Sequence, residues 1–130
     1  MKLSKQVTSL KLSKKLKKLG AKQESVWYWT DLTGVKTKVG GRFYTTDWYI
    51  TDNNLAEIDK VIFGKHYISA FLPVELGERL PEGITTEKIK PRYLCIDIKT
   101  KIEIEAKTEA NARGEMLAYL ILNKLITINQ

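Results

Sequence analysis

Arg92-Tyr93-Leu94-Cys95-Ile96-Asp97-Ile98, then Lys99-Thr100-Lys101, then Ile102-Glu103-Ile104-Glu105-Ala106, is the stretch that decides the fold. Leu94, Ile96 and Ile98 fall on one face of the first run. The second run puts its apolar residues on one face and its two carboxylates on the other. That alternation is the period of a half-buried strand. The three residues between the runs suit a hairpin loop. Thr108 then offers a helix N-cap, Glu109 belongs in the first turn, and the pattern predicts a helix to about Leu125. Ala110, Arg113, Leu117, Leu120, Ile121 and Lys124 line one side, widened by Met116 and Leu125. Leu117, Leu120 and Ile121 are expected to centre the core across the hairpin. Residues 92–126 thus read as one strand–turn–strand–helix unit.

Working outward, 130 residues with 43% hydrophobic and 28% charged side chains fit a single globular domain spanning 1–130. No apolar run reaches the length of a membrane span, and the lysine-rich start lacks the apolar segment of a signal peptide. One cysteine excludes an internal disulfide, and together with one histidine it excludes an ordinary four-ligand Cys/His zinc site. The expected compartment is the cytoplasm, with no membrane partner.

The net charge of +7 has an address. Residues 1–24 hold eight lysines and one acid, Glu24, while the rest of the chain balances its charges. Thr8 or Ser9 can cap a helix running to Leu19, with Gly20 placed for a left-handed stop. Leu12, Leu16 and Leu19 make its apolar stripe, with Leu10 nearby. Lys11, Lys15, Lys18 and Lys22 follow a second stripe, flanked by Lys14 and Lys17. A local basic face favours an anionic partner, although lysines are also good helix formers that simply solvate an outer face.

Val26 to Thr30 reads as an aromatic strand, with Val26, Tyr28 and Thr30 pointing one way and Trp27 and Trp29 the other. The two tryptophans serve either as a core wall or as a platform for stacking bases. Val35 to Thr45 reads as a hairpin on the Gly40-Gly41 turn, which accounts for both glycines without a phosphate site. Trp48 and Tyr49 extend the aromatic region toward Asp52-Asn53-Asn54, which can cap a short helix ended by Gly64. His66 to Phe71 suggests a short strand. Pro73 opens a helix that Pro81-Glu82-Gly83 stops. Residues 82–91 are the most loop-like segment.

Catalytic constellations are thin. His66 is the only imidazole and Cys95 the only thiol, and nothing in their spacing supports a nucleophilic pair. There is no nucleophile elbow, phosphate loop or dinucleotide fingerprint. Glu103 and Glu105 suit the solvated side of the hairpin better than a catalytic pair. Asp31, Asp47 and Asp52 lack calcium-loop spacing and suit turns and caps. A helix-turn-helix across Leu10 to Trp29 conflicts with the β-branched, aromatic run that would have to form its second helix.

Three stretches together are distinctive. They are Gln6-Val7-Thr8-Ser9-Leu10 through Leu19-Gly20-Ala21-Lys22-Gln23-Glu24-Ser25; Tyr67-Ile68-Ser69-Ala70-Phe71 through Glu75-Leu76-Gly77-Glu78-Arg79-Leu80-Pro81; and Thr108-Glu109-Ala110-Asn111-Ala112-Arg113 through Asn123-Lys124-Leu125. In that order they resemble a family of small phage and prophage proteins of bacteria that has no assigned activity. The resemblance implies a mobile-element protein acting in the bacterial cytoplasm and carries no functional residue with it. Pro73 departs from the family's polar residue there, and the lysine-rich first helix departs from a more acidic one.

The expectation is an α+β domain: a mostly antiparallel sheet of about four to six strands, a C-terminal helix packed across it, and a short basic N-terminal helix within residues 1–24. The expected function is non-enzymatic binding of a phosphate-bearing ligand, nucleic acid or nucleotide. Lys11, Lys14, Lys15, Lys18 and Lys22 would supply charge, and Trp27 and Trp29 would stack. The alternatives are a protein–protein module engaging a host or phage protein, and an enzyme using His66. No cofactor or metal is implied.

Overall fold

The computed structural model describes residues 2–30, 48–52 and 67–126. The hairpin expected over Val35 to Thr45, the short helix after Asp52, and His66 lie outside them. In chain order the elements are α1 (Leu3–Gln6), α2 (Leu10–Lys18), β1 (Trp27–Thr30), β2 (Tyr49–Asp52), β3 (Tyr67–Ala70), α3 (Pro73–Arg79), β4 (Ile84–Ile89), β5 (Arg92–Asp97), β6 (Ile102–Ala106) and α4 (Glu109–Leu122). Among the described residues all strand pairs are antiparallel. The α+β class, the strand number and the C-terminal helix against the strands are as expected. The strands divide into two three-stranded sheets, ordered β2-β1-β3 and β4-β5-β6.

The second sheet grows from the hairpin. Its register pairs Tyr93 with Ala106, Cys95 with Ile104 and Asp97 with Ile102. The face beneath α4 therefore carries Tyr93, Cys95, Ile102, Ile104 and Ala106, against Ala112, Met116 and Leu120. Leu94 and Ile96 oppose Glu105 and Glu103 on the other face. The clean split of β6 fixes which face is buried, and a strand's period of two then turns Leu94 and Ile96 outward. Ile98, expected on the strand, sits in the turn at 61% exposure. Asp97 closes that turn: its carboxylate accepts from the Lys99 amide (3.0 Å) and the Thr100 hydroxyl (2.7 Å).

Residues 82–91, expected as loop, carry β4. Ile84, Thr85, Thr86 and Ile89 have the β-branched side chains that suit a pleated surface. Among the described residues β4 pairs only with β5, and it half-buries Ile84 and Thr86 while leaving the rest of the strand exposed, too little burial for the sequence pattern to announce it. Helix α3 begins as expected at Pro73, where the missing N–H costs nothing. Glu75 reaches back to the Leu72 amide (2.8 Å), and its second carboxylate oxygen takes the Val26 amide (3.0 Å).

Helix α4 is buried on two sides. Leu117, Ala118 and Ile121 face away from the hairpin, into a cluster with Leu12, Leu16, Ala21, Phe71 and Leu76. Each of the larger side chains there contributes roughly 1.5–3 kcal/mol by leaving water. Only Leu120 of the expected central trio faces the hairpin. Helix α2 meets α4 at Gly114, where a Cβ would lie 2.7 Å from Leu12 Cδ2 and 3.0 Å from Thr8 Cγ2. Arg113 ties the same helix to its neighbours, donating to the Pro73 carbonyl (2.8 Å) and Thr86 Oγ1 (3.0 Å) and pairing with Glu109 (3.0 Å).

Both long helices end alike. In α2, the Ala21 amide donates to the Leu16 carbonyl and Gly20 to Lys17, with Gly20 at φ 96°. In α4, Leu125 donates to Leu120 and Lys124 to Ile121, with Lys124 at φ 55°. This double-bonded stop requires one left-handed residue. It ends α4 at Leu122, so Lys124 and Leu125, expected on the helix stripe, are instead exposed beyond it. Lysine is strained where glycine is not, by about 1 kcal/mol. Lys124→Gly should therefore raise the melting temperature by roughly 3–6 °C in a thermal scan by circular dichroism. An unchanged or lower midpoint would contradict this assignment of strain.

Candidate functional site

Helix α2 is held at its start by two polar residues. Ser9 is the N-cap, its hydroxyl accepting from the Leu12 amide (3.2 Å) while its own amide donates to Asn111 Oδ1 on α4 (2.9 Å). Thr8 is fully buried. Its amide donates to the Phe71 carbonyl (2.9 Å), its hydroxyl accepts from the Phe71 amide (3.0 Å) and bonds Ser13 Oγ (2.7 Å), and its carbonyl accepts from Trp29 Nε1 (2.9 Å). Near the other end, Lys17 Nζ donates to the Tyr67 carbonyl (2.9 Å). Thr8 to Lys17 in a helix and Phe71 to Tyr67 in a strand both span about 13 Å. Helix α2 thus runs antiparallel along β3.

Docking fixes what α2 shows to water. Leu12, Ser13 and Leu16 are buried and Leu10 is half-buried. The exposed positions are Lys11, Lys14, Lys15, Lys17 and Lys18. Every exposed residue of this helix is a lysine. Lys17 is turned onto the Tyr67 carbonyl, and Lys15 pairs with Glu115 at 3.2 Å across an exposed gap. Among the described residues no carboxylate pairs with Lys11, Lys14 or Lys18. Lys22 stands apart. It follows the Gly20 turn, pairs with Glu24 (3.2 Å), and its carbonyl accepts from Arg79. Arg79 lies over the Phe71 ring (4.4 Å to its centroid) and also donates to the Glu24 carbonyl, fixing this segment to α3. Burial lowers its pKa, with Glu75, Glu24 and Glu78 opposing.

The tryptophans share one face of the first sheet. Trp27 and Trp29 alternate with buried Tyr28 and Thr30, and the register places Trp29 opposite Ile50 and Ile68. The Trp29–Thr8 bond marks this as the face toward α2. Both rings are half-buried. Trp29 is thereby bound into the helix junction, while Trp27 stands at the start of β1, its carbonyl accepting from the Ser25 hydroxyl (2.6 Å). The same alternation brings half-buried Trp48, just before β2, to the α2 side, with Lys14 Nζ 5.0 Å from its ring centroid. Trp48 is thus the ring placed against the lysine row. Its signal in the sequence was its parity with Ile50, two residues on, and not closeness to α2 along the chain.

Other groups considered for chemistry stand elsewhere. Cys95 is fully buried under α4. Burial pushes its thiol pKa up, and the Thr86 hydroxyl at 4.0 Å opposes this only in part. Glu103 and Glu105 lie on the exposed face, and Glu105 pairs with Arg92 (3.6 Å). Asp31 and Asp47 fall outside the described residues. Among the described residues no three His, Cys, Asp or Glu side chains group to hold a metal, and no helix is long and apolar enough to cross a membrane.

No protein-family model, curated protein or solved structure matches the chain.

A buried thiol held protonated is a poor nucleophile. In the native protein at pH 8, Cys95 should react with Ellman's reagent at least about a hundredfold slower than in denaturant. Reaction at the denatured rate would contradict its placement.

Proposed function

We propose that the chain is a non-enzymatic binding protein that takes a phosphate-bearing ligand, nucleic acid or nucleotide, on the outer face of α2. The observation that carries this reading is that all the exposed positions of α2 are lysines and that three of them face no carboxylate among the described residues. A single-sign row on a docked, rigid helix concentrates potential where counterions or phosphates gather. Lys15 is available to the same ligand, because an exposed pair such as Lys15–Glu115 contributes little and is screened by salt. Trp48 adds a ring beside the charges. The cytoplasm of a bacterial host, which the resemblance to phage and prophage proteins implies, is the setting we propose for this activity.

A second reading draws on the exposed face of the β4-β5-β6 sheet. Leu94 and Ile96 lie there between Glu87, Glu103 and Glu105, with Ile89 and Ile98 exposed nearby. That strip is the surface through which a protein–protein module would engage a host or phage protein. Affinity capture from nuclease-treated lysate separates the readings, since only a protein partner survives the nuclease.

Reversing Lys11, Lys15 and Lys18 to Glu should weaken binding of a labelled random single-stranded oligonucleotide by at least about a hundredfold at low salt. The melting temperature should move by only a few degrees, since all three side chains are exposed. Unchanged affinity in a folded variant would exclude α2 as the binding face.

A further inference from the structure

We infer that the ligand of the α2 face is a single strand rather than a duplex, and that Trp48 is its base-stacking residue, occupied in the free protein by Lys14. This rests on the phosphate-binding reading above and goes beyond it. Lys11 to Lys18 spans about 10 Å of helix, enough for about three consecutive phosphates of one strand at their spacing in a stacked helix. Within that span the structure sets one half-buried tryptophan under one ammonium, Lys14 Nζ over Trp48 at 5.0 Å. Among the described residues neither Trp27 nor Trp29 has an ammonium of the row over its ring, and the indole N–H of Trp29 holds that ring in the helix junction.

The Lys14–Trp48 contact is an exchangeable one. An exposed cation over a ring is weakly held, and a stacked base is held more strongly. When a strand arrives, the Lys14 ammonium moves from the ring to a phosphate, and the base beside that phosphate takes the vacated ring face. A duplex satisfies the lysines equally well but keeps its bases in its own stack, so it gains nothing from Trp48. The exposed positions of α2 are all lysines, which meet phosphates as flexible point charges whatever base follows. Binding should therefore tolerate any sequence.

The test is an anisotropy titration of the full chain at low salt with a labelled oligothymidylate of about twelve nucleotides and with a duplex of the same length. Wild type, Trp48→Leu and Trp48→Phe are compared, with folding checked by thermal melting. Wild type should bind the single strand at least about tenfold tighter than the duplex. Trp48→Leu should erase that margin, and Trp48→Phe should keep most of it. Equal wild-type affinity for strand and duplex, with the lysine dependence intact, would overturn this inference and leave the proposed function standing. So would a folded Trp48→Leu that keeps the margin. No binding of either probe by wild type would overturn both. The wild-type comparison decides even if Trp48→Leu does not fold.

Discussion

Burial of Thr8 is the constraint on which the rest of the arrangement depends. A buried threonine brings an amide, a carbonyl and a hydroxyl out of water, and each must find a partner inside the protein. Here the amide and hydroxyl clasp both sides of Phe71, the hydroxyl also meets Ser13, and the carbonyl holds Trp29. One residue thus joins the start of α2, the end of β3 and the centre of β1. Gly114 completes the junction from the other side, because any Cβ there would press on Leu12 and Thr8. With both ends of this clasp fixed, α2 cannot rotate without leaving buried polar groups unpaired.

That fixed rotation turns composition into a surface. Leu12, Ser13 and Leu16 go inward, so the helical period sends the lysines outward as one row. Burying α2 against Leu117 and Ile121 stabilises a helix of nine residues that would be marginal alone. Five of the eight lysines in residues 1–24 therefore sit on a docked element.

Much of the fold could be read directly where local chemistry and tertiary packing agree. The strand–turn–strand–helix unit, the Pro73 start of α3, the cap at Thr108 and the Gly20 stop all belong to this class, and the cap of α2 was narrowed to Thr8 or Ser9. The sequence failed where a partner decides. Strand β4 has little burial of its own and gains its place from pairing with β5. The outward turn of Leu94 and Ile96 follows from the register with β6, which no single-strand pattern contains. The early end of α4 depends on a left-handed Lys124, a conformation that lysine does not advertise. In the site, the lysine row was legible from spacing on one helix. The Trp48 contact was not, because it joins two elements far apart in the chain.

Whether α2 meets phosphate decides the proposed function. The most direct measurement is the slope of log affinity against log salt for wild-type protein with a single-stranded oligonucleotide. Lys11, Lys14, Lys15 and Lys18, each displacing counterions from a strand, predict a slope of about −3. A slope near zero would mean that the row remains solvated during binding, contradicting the claim that these lysines are the contact.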